Sequence, residues 1–302
     1  MKLIGNPQTK ILVIGGTGVL GFHICRFFLK KNWAISSISL NPPKKFRKLK
    51  KVKYFYADIS KINSIKILKD VQFDFIVNCG SYVNNKSKLN NLKNHYIGCK
   101  NLYKILSKKK ILKFIQIGSS LEYGSVKSPQ KETLKEKAKD KYGKPKLEAT
   151  NFLKSKKKFP FLILRLYQVY GPYQDKNRII PFVINSCLKG KSFPCSEGSQ
   201  YRDFLYIDDF LNALNKCLKM DIKNNEIINI GYGKPTKIKK IISMIHKNIK
   251  KGKPEYGKIK LRGDEQLTVF PSIAKAQRML KWSPKTSIKK GIIKTVKHFK
   301  LN

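Results

Sequence analysis

A short apolar run that meets a glycine-rich turn near the start of the chain restricts the fold more than any other feature. Residues 11–14 form a continuous apolar run, as a strand buried on both faces requires, and residues 22–30 carry apolar side chains at helical spacing. Similar runs recur along the chain with helix-like stretches, such as residues 94–106, between them; they are residues 34–40, 52–56, 73–77, 113–117 and 161–166. This alternation predicts an α/β fold with a doubly wound parallel sheet, the Rossmann architecture.

The glycine turn itself indicates a dinucleotide site. Glycines at positions 15, 18 and 21 let the chain reverse tightly, let backbone N–H groups approach a pyrophosphate, and let the following helix pack on the strand. An ordinary glycine loop is the alternative, but the position between the first strand and the first helix favours the binding role. The predicted contacts in the turn are Gly15, Thr17, Gly18, Val19, Leu20 and Gly21.

The end of the second strand bears on which dinucleotide binds. NAD sites usually place Asp or Glu there, against the ribose 2′-hydroxyl, whereas this chain has Ser39-Leu40-Asn41 followed by the cations Lys44, Lys45 and Arg47. The missing carboxylate favours NADP(H) over NAD(H). The aspartate after the third strand is placed to meet the adenine, or is simply a turn-forming residue. The further predicted cofactor contacts are Ser39, Asp58, Gly80 and Ser81.

The domain organisation follows from the same pattern. The strand–helix rhythm breaks after Gly171 and Pro172 into a stretch rich in Pro and Gly. We expect residues 1–170, with a return segment at about 205–230, to form the dinucleotide-binding domain. Residues 171–204 and 231–302 are predicted to form a smaller C-terminal α+β lobe that covers the substrate.

A tyrosine and a lysine four positions apart suggest acid–base chemistry. Tyr142 and Lys146 share one helical face, and a nearby ammonium brings a phenol, which titrates near ~10 when free, toward its working range. Ser119 ends an apolar run and can hydrogen-bond a reacting oxygen. Chance occurrence is the alternative, because Tyr and Lys are abundant. Pro145 requires that the helix begin close by, since an interior proline loses a backbone hydrogen bond.

The formal net charge of +47 raises nucleic acid or an anionic membrane as a partner. Seven of the 65 basic residues are arginine, and the lysines are spread through nearly every segment, which favours a solvated lysine surface and no nucleic-acid partner. The few arginines retained are then candidates for gripping phosphate.

Cysteine usage and hydropathy bear on the compartment. The six cysteines have neither a C-x-x-C pair nor a spacing suited to zinc, so no metal site is predicted. The start of the chain has no apolar stretch of a secretion signal, and no run approaches the ~20 apolar residues that span a bilayer. We expect a reduced, cytoplasmic protein without membrane association.

Several segments resemble the extended short-chain dehydrogenase/reductase family, which comprises nucleotide-sugar epimerases, dehydratases and reductases, and the likeness covers essentially the whole chain. The segments are the glycine turn, residues 114–124, 142–146, Arg165 with 169–172, 202–209 and 262–264. The resemblance implies that Ser119, Tyr142 and Lys146 are catalytic, with Lys146 also holding the nicotinamide ribose. It further implies that a nucleotide diphosphate-sugar binds to Ser120, Gln168, Asn177, Arg178, Arg202 and Arg262.

Departures from the family pattern separate the possible reactions. The 4,6-dehydratases carry an Asp-Glu pair after the catalytic Ser/Thr, where this chain has Ser120 and Leu121, so dehydration is not expected. The sequences of residues 118–124 and 142–146 most resemble those of reductases that act on 4-keto-6-deoxy sugar nucleotides, of the CDP-abequose/paratose synthase type. His95 and Gln168 stand where the family usually has Asn, and Glu122 is expected to point away from the site.

The sequence therefore predicts NAD(P)H-dependent reduction of a nucleotide-linked 4-keto-6-deoxy sugar at C4. An NAD-dependent nucleotide-sugar 4-epimerase is the alternative within the family. From a different class, a nucleic-acid-binding or regulatory protein could have kept the fold without the catalysis. Dimers are frequent among family members, so a homodimer is a further expectation.

Overall fold

The computed structural model describes residues 9–80, 88–221, 225–261, 263 and 265–301. Its strands in chain order are β1 (Lys10–Ile14), β2 (Ala34–Ser39), β3 (Val52–Tyr56), β4 (Phe75–Asn78), β5 (Lys113–Ser119), β6 (Phe161–Leu166), β7 (Gln168–Tyr170), β8 (Ser192–Pro194), β9 (Tyr201–Tyr206), β10 (Glu226–Ile230), β11 (Pro235–Lys237), β12 (Lys253–Glu255) and β13 (Thr268–Val269).

The helices alternate with the strands through the first half of the chain. The α-helices are α1 (Val19–Leu29), α2 (Lys88–Asn91), α3 (Gly98–Leu106), α4 (Gly143–Lys154), α5 (Ile179–Leu188), α6 (Ile207–Lys219), α7 (Ile238–Ile249), α8 (Ala274–Leu280) and α9 (Ile288–Lys300). A π-helical stretch, Leu92–Ile97, joins α2 to α3, and short 3₁₀ helices are formed by Lys45–Arg47, Ile62–Lys69 and Ser120–Glu122.

Seven strands form one parallel sheet flanked by helices, which confirms the predicted fold class. Their order across the sheet is β10, β6, β5, β4, β1, β2, β3. From β1 the chain builds toward one edge through β2 and β3, and from β4 toward the other through β5 and β6. The direction of building reverses between β1 and β4, and the carboxyl ends of the strands at such a switch point form the crevice that binds ligands in this class of fold.

Apolar composition explains why the central strands form. β4 and β6 are buried at every position, and β1 at four of its five positions, as parallel strands covered on both faces require. On one face, Leu12, Ile76 and Phe114 of the sheet belong to the same hydrophobic cluster as Leu102 of α3 and Leu153 of α4. This packing places α3 and α4 on the face of the sheet near the ends of β4 and β5.

The chain divides into two compact units. Unit 1 comprises residues 1–124, 134–165 and 214–228, and unit 2 comprises residues 125–133, 166–213 and 229–302. Within unit 2, β9 pairs in parallel with β7 and β13 and antiparallel with β11, while β8 pairs with β12. The loop 125–133 lies in unit 2, where its Gln130 backbone exchanges hydrogen bonds with the segment around Phe270.

The predicted segments differ from the structure in two places. β10 completes the large sheet although it lies outside the predicted runs. The helix predicted at 94–106 is not uniform, because its first residues belong to the π-helical stretch, and such stretches are frequent at functional sites. Across the described part of the chain, none of the helices combines the length and hydrophobicity that a lipid bilayer crossing requires.

Candidate active site

The glycine turn connects β1 to α1 at the switch point of the sheet. Gly15 has φ +77°, which side-chain-bearing residues rarely adopt, and a Cβ there would lie 2.8 Å from the Gly80 Cα after β4. A Cβ at Gly21 would lie 2.3 Å from the Gly15 carbonyl oxygen. The turn therefore closes tightly against both β4 and the first turn of α1, which fits the cradle of a dinucleotide pyrophosphate.

The start of α1 is open to an anion. Gly18 precedes the helix and supplies no side-chain cap, and the first turn, all of which the structure describes, contains no acidic residue. The backbone N–H groups of Val19, Leu20 and Gly21 have no carbonyl acceptor within their own helix, because no preceding helical turn supplies one. Together with the helix dipole, these groups favour a bound phosphate.

The end of β2 meets the same turn. The Ser39 hydroxyl accepts a hydrogen bond from Thr17 N at 3.3 Å, so this side chain braces the glycine turn. Lys44 and Lys45 are exposed beyond the strand, whereas Arg47 is buried, with its guanidinium 5.1 Å from the centre of the Phe46 ring. Of the three cations predicted here, Lys44 and Lys45 are therefore the exposed ones.

Two other predicted cofactor contacts follow the strands β3 and β4. Asp58, after β3, accepts hydrogen bonds from Ser60 N at 2.9 Å and from the Ser60 hydroxyl at 2.7 Å, the geometry of an Asx turn. The turn-forming role is therefore present, and the adenine contact stays a prediction. Gly80 follows β4, and its N–H donates to Asn78 Oδ1 at 3.2 Å. The predicted contact Ser81 lies outside the described residues.

Ser119 is the last residue of β5 and is partly exposed. Its hydroxyl accepts a hydrogen bond from Leu121 N at 3.2 Å, and its own N–H donates to Glu122 Oε1 at 2.8 Å. This reciprocal capping box starts the 3₁₀ turn that contains Ser120. Because the hydroxyl accepts within the turn, its proton is free to point toward a substrate oxygen.

Tyr142 lies at the start of α4 and is half-buried. Asp140 holds this start in place, since its Oδ1 accepts from Tyr142 N at 2.9 Å and from Gly143 N at 2.8 Å. Pro145 occupies the first turn of the helix, where its missing N–H costs nothing because that position has no helical acceptor. The helix therefore begins close to Pro145, as the sequence required.

Lys146, one helical turn after Tyr142, is buried and only 2% exposed. Its Nζ donates to the Ile117 carbonyl oxygen of β5 at 2.7 Å and lies 6.0 Å from the centre of the Tyr142 ring. The ring of His95, in the π-helical stretch, packs edge-on against Tyr142 at a centroid distance of 5.0 Å. The structure thus brings Tyr142, Lys146 and His95 together beside the end of β5.

A buried charged cluster lies behind this group. Arg165 of β6 has no exposed surface, and its guanidinium pairs with Glu122 at 3.0 Å and with Glu136 at 2.6 Å. The two carboxylates raise the pKa of Arg165 despite its burial. Arg165 therefore stabilises the interior of unit 1, which corrects the expectation that the retained arginines grip phosphate. The Glu122 side chain is fully buried in this cluster.

The thiols near Lys146 are structural. Burial raises the pKa of Cys79 to about 12 and that of Cys99 to about 12, although the Lys146 ammonium opposes the shift in both. Thiols held protonated in this way are poor nucleophiles and poor metal ligands. All six cysteines of the chain are free thiols, and no cluster of His, Cys, Asp or Glu among the described residues is suited to hold a metal.

The predicted substrate contacts in unit 2 are largely exposed. Gln168 begins β7, and Asn177 and Arg178 precede α5; all three side chains are exposed. Arg262 lies outside the described residues, as does Asp264 of the same motif.

Arg202 in β9 has an acidic partner. Its Nη2 donates to Glu265 Oε1 at 2.8 Å, and its Nη1 donates to the carbonyl oxygens of Tyr201 and Leu267. The next residue, Asp203, faces the interior, because successive side chains of a strand alternate. Its carboxylate accepts from Tyr232 N and Gly233 N at 2.7 Å each, and burial raises the pKa of Asp203 to about 7.

Sequence reasoning missed Asp140 and Thr150. An aspartate just before a predicted helix is a usual capping signal and could have indicated Asp140. Thr150 gives no comparable signal, because its hydroxyl bonds to Glu122, which is 28 positions away.

Comparison with known proteins agrees with this geometry. The UDP-glucuronate 4-epimerase of Thermodesulfobacterium geofontis is 27% identical over 317 residues, 96% of each chain. The CDP-abequose synthase of Salmonella muenchen is 34% identical over 44% of this chain and 46% of its own length. A solved structure of the UDP-glucuronic acid 4-epimerase from Bacillus cereus, in complex with UDP-glucuronic acid and NAD, covers 97% of this chain and 99% of that one, with a TM-score of 0.87 and 26% identity.

A family model adds the remaining observation. The model described as the NAD dependent epimerase/dehydratase family matches residues 11–231, a range that includes the glycine turn, Ser119 and the helix of Tyr142 and Lys146. The chain therefore belongs to the NAD dependent epimerase/dehydratase family, whose members are NAD-dependent enzymes that act on nucleotide sugars.

Proposed function

We propose that this protein reduces a nucleotide-linked 4-keto-6-deoxy sugar at C4 with NADPH. The observation that carries the proposal is the Tyr142–Lys146 pair, in which a buried ammonium, tied to the Ile117 carbonyl at 2.7 Å, lies below a half-buried phenol. A cation in this position stabilises the negative charge that develops on the phenol oxygen as its proton is transferred.

Each side chain has one role in the proposed step. NADPH, when bound at the glycine turn, would supply the hydride to the carbonyl carbon and would be oxidised to NADP⁺. Tyr142 donates its proton to the oxygen as negative charge develops there, and the Lys146 ammonium stabilises the phenolate that remains. The Ser119 hydroxyl donates a hydrogen bond to the same oxygen, which polarises the carbonyl before reaction. The product is the C4 alcohol.

The departures at positions 120 and 121 support reduction over dehydration. Leu121 is 43% exposed and carries no acid or base, and Ser120 is partly exposed at the start of the 3₁₀ turn. Elimination of water from a sugar needs an additional acid and base beside the catalytic serine. The partial likeness to CDP-abequose synthase also supports the proposal.

The coenzyme preference rests on the end of β2. Ser39 is there instead of a carboxylate and bonds to Thr17 N, while Lys44 and Lys45 are exposed a few residues on. A carboxylate would repel a 2′-phosphate, and two cations attract it. We therefore propose NADP(H) in preference to NAD(H).

The substrate diphosphate is assigned to unit 2. Arg202 and Arg262 are proposed to bind it, because a guanidinium donates two parallel hydrogen bonds to phosphate oxygens. Gln168, Asn177 and Arg178 are proposed to line the cleft that holds the sugar and the nucleotide.

The test is turnover with defined substrates. Purified protein is incubated with NADPH, or in parallel NADH, and a CDP-, dTDP- or UDP-linked 4-keto-6-deoxyhexose, and both coenzyme oxidation and the sugar product are followed. Consumption of one NADPH per C4 alcohol formed, faster than with NADH, supports the proposal. Loss of activity in Tyr142→Phe, with retention in the matched variant Tyr103→Phe, ties the turnover to the site.

A 4-epimerase is the second candidate, and the full-length likeness to UDP-glucuronate 4-epimerases favours it. An epimerase returns its hydride to the substrate, so no coenzyme is consumed. Inversion at C4 of an unreduced UDP-sugar, with the coenzyme recovered unchanged, would establish epimerisation and rule out reduction as the main activity.

We further propose that the protein forms a homodimer, as the family resemblance implies. Light scattering of the purified chain gives its mass directly. A mass near twice 34.8 kDa is expected, and a mass equal to one chain would contradict the dimer.

A further inference from the structure

One buried carboxylate connects the two elements that carry the catalytic groups. Glu122, which has no exposed surface, accepts a hydrogen bond from Ser119 N through Oε1 at 2.8 Å. Its other oxygen, Oε2, accepts from the Thr150 hydroxyl of α4 at 2.8 Å and from Arg165 Nε at 3.0 Å. The carboxylate thus joins the end of β5 to α4 and β6.

Thr150 transmits this connection to the acid–base pair. It lies four residues after Lys146 and eight after Tyr142, so it is on the same side of α4 as both. Thr150 and Lys146 are both buried, and they bond to neighbouring parts of the β5 end, Lys146 to the Ile117 carbonyl and Thr150 to Glu122. Two hydrogen bonds therefore fix the rotation and height of α4 against β5.

The surroundings of Glu122 are built for a carboxylate. Gly118 leaves the space that the side chain needs, since a Cβ there would lie 2.6 Å from Glu122 Oε1. Arg165 neutralises the buried charge and is itself held by Glu136 and by the Tyr123 ring, whose centre is 4.5 Å from its guanidinium. An ionised carboxylate accepts several hydrogen bonds at once, and this one accepts three.

We propose that Glu122 is a positioning residue, which sets the distance between Ser119 and the Tyr142–Lys146 pair through its bond to Thr150. The inference rests on the proposed function, because it assumes that these three side chains act on one substrate oxygen. Catalytic hydrogen bonds depend steeply on such placement, and a displacement of about 1 Å can lower a rate by about a hundredfold.

The variants are chosen to remove single hydrogen bonds. Thr150→Val deletes the hydroxyl and keeps the shape, while Arg165 remains bound to Glu122. Thr150→Ser restores a hydroxyl at the same place. Thr295→Val is the matched control, because Thr295 is also fully buried in a helix, where its hydroxyl donates to the Gly291 carbonyl at 2.8 Å within unit 2.

The kinetic readout separates positioning from general destabilisation. In Thr150→Val we expect kcat to fall by about tenfold while KM for the nucleotide sugar and for NADPH changes by less than about twofold. Thr150→Ser should recover most of kcat, and Thr295→Val should keep it. Glu122→Gln, which loses the carboxylate charge but not the length, should lower kcat at least as much as Thr150→Val. Unchanged kcat in Thr150→Val, or an equal loss in Thr295→Val, would overturn the proposal.

A second readout needs no substrate. Amide hydrogen exchange of the full chain measures protection of the Ser119 N–H, which donates to Glu122. We expect this amide to exchange about tenfold faster in Thr150→Val and at the wild-type rate in Thr150→Ser and Thr295→Val. Equal protection in Thr150→Val and the wild type would contradict the connection. Absence of turnover in the wild type would contradict the proposed function alone, since exchange still decides whether Thr150 and Glu122 hold Ser119.

Discussion

The two units differ in how their predicted site residues are held. In unit 1, Lys146 is buried and tied to a backbone carbonyl, Ser119 belongs to a capping box, and Tyr142 follows the turn that Asp140 caps. In unit 2, Gln168, Asn177 and Arg178 are exposed. The comparison indicates that the proposed reacting groups are held by hydrogen bonds within the protein, whereas these three proposed substrate contacts are open to solvent.

The largest expected effect tests the proposed reacting groups directly. Tyr142→Phe removes one hydroxyl, and general acid catalysis contributes about 10²–10⁴ in rate, so we expect kcat to fall by about a thousandfold. The coenzyme Kd, measured by fluorescence titration, should change little. Tyr103→Phe, on α3, is the control and should retain full activity. A Tyr142→Phe enzyme with more than about a tenth of the wild-type kcat would remove Tyr142 from the mechanism.

Removal of the buried cation behind the site should have the next largest effect, this time on folding. Arg165→Met leaves Glu122 and Glu136 without their cation, and breaking a buried pair on one side costs about 3–5 kcal/mol of unfolding free energy. Urea unfolding measures the loss. Arg278→Met, at an exposed position on α8, should change stability by less than about 0.5 kcal/mol. Equal stability of the two variants would show that the interior of unit 1 is not held by this cluster.

Unit 1 contains a second buried cation, Lys113, and its contribution to stability should depend on pH. Lys113 is 5% exposed, and its Nζ donates to the carbonyl oxygens of Cys217, Leu218 and Met220 at the end of α6. Burial lowers the pKa of Lys113 from 10.5 to about 8. Between these two values the unfolded chain binds a proton that the folded chain does not, so the contribution of this group to stability rises with pH.

The measurement compares wild type with Lys113→Met, which cannot titrate at this position. From pH 8 to pH 10.5 the unfolding free energy of the wild type should rise relative to the variant by about 1–3 kcal/mol. Taking the difference cancels the titration of the many surface lysines. A difference that stays constant with pH would show that the three carbonyl bonds fully offset the cost of burying the ammonium.

The smallest expected effect concerns unit 2. Glu265 pairs with Arg202 at 2.8 Å, and both side chains are partly exposed, so the pair is worth about 0.2–1 kcal/mol. If Arg202 binds the substrate diphosphate, the Glu265 carboxylate competes with the diphosphate for the Arg202 guanidinium. Glu265→Gln should therefore lower KM for the nucleotide sugar by about two- to fivefold and leave kcat unchanged. Arg202→Met should raise the same KM. A raised KM in Glu265→Gln would instead mean that the glutamate holds Arg202 in its binding position.

The sequence contained the fold class, the glycine turn and the start of the helix of Tyr142 because these features depend on local patterns. Continuous apolar runs separated by helical periodicity indicated the parallel sheet, the glycine spacing indicated the turn after β1, and Pro145 indicated that the helix of Tyr142 begins nearby. Each of these signals involves residues within about one element of each other. The return segment at about 205–230 includes β10, but the strand itself was not predicted because it lies beyond the regular alternation and is recognised only by its place at the edge of the sheet.

Tertiary structure alone decided how the site is supported. Two of the partners of Glu122, Thr150 and Arg165, lie 28 and 43 positions away along the chain, and Cys217, whose carbonyl oxygen accepts from Lys113, lies 104 positions from it. The sequence could not show whether Arg165 binds phosphate or a buried carboxylate, because composition and motif position are the same in both cases. Packing brings such residues together only after the sheet has formed, and burial then makes their charges and hydrogen bonds strong enough to matter.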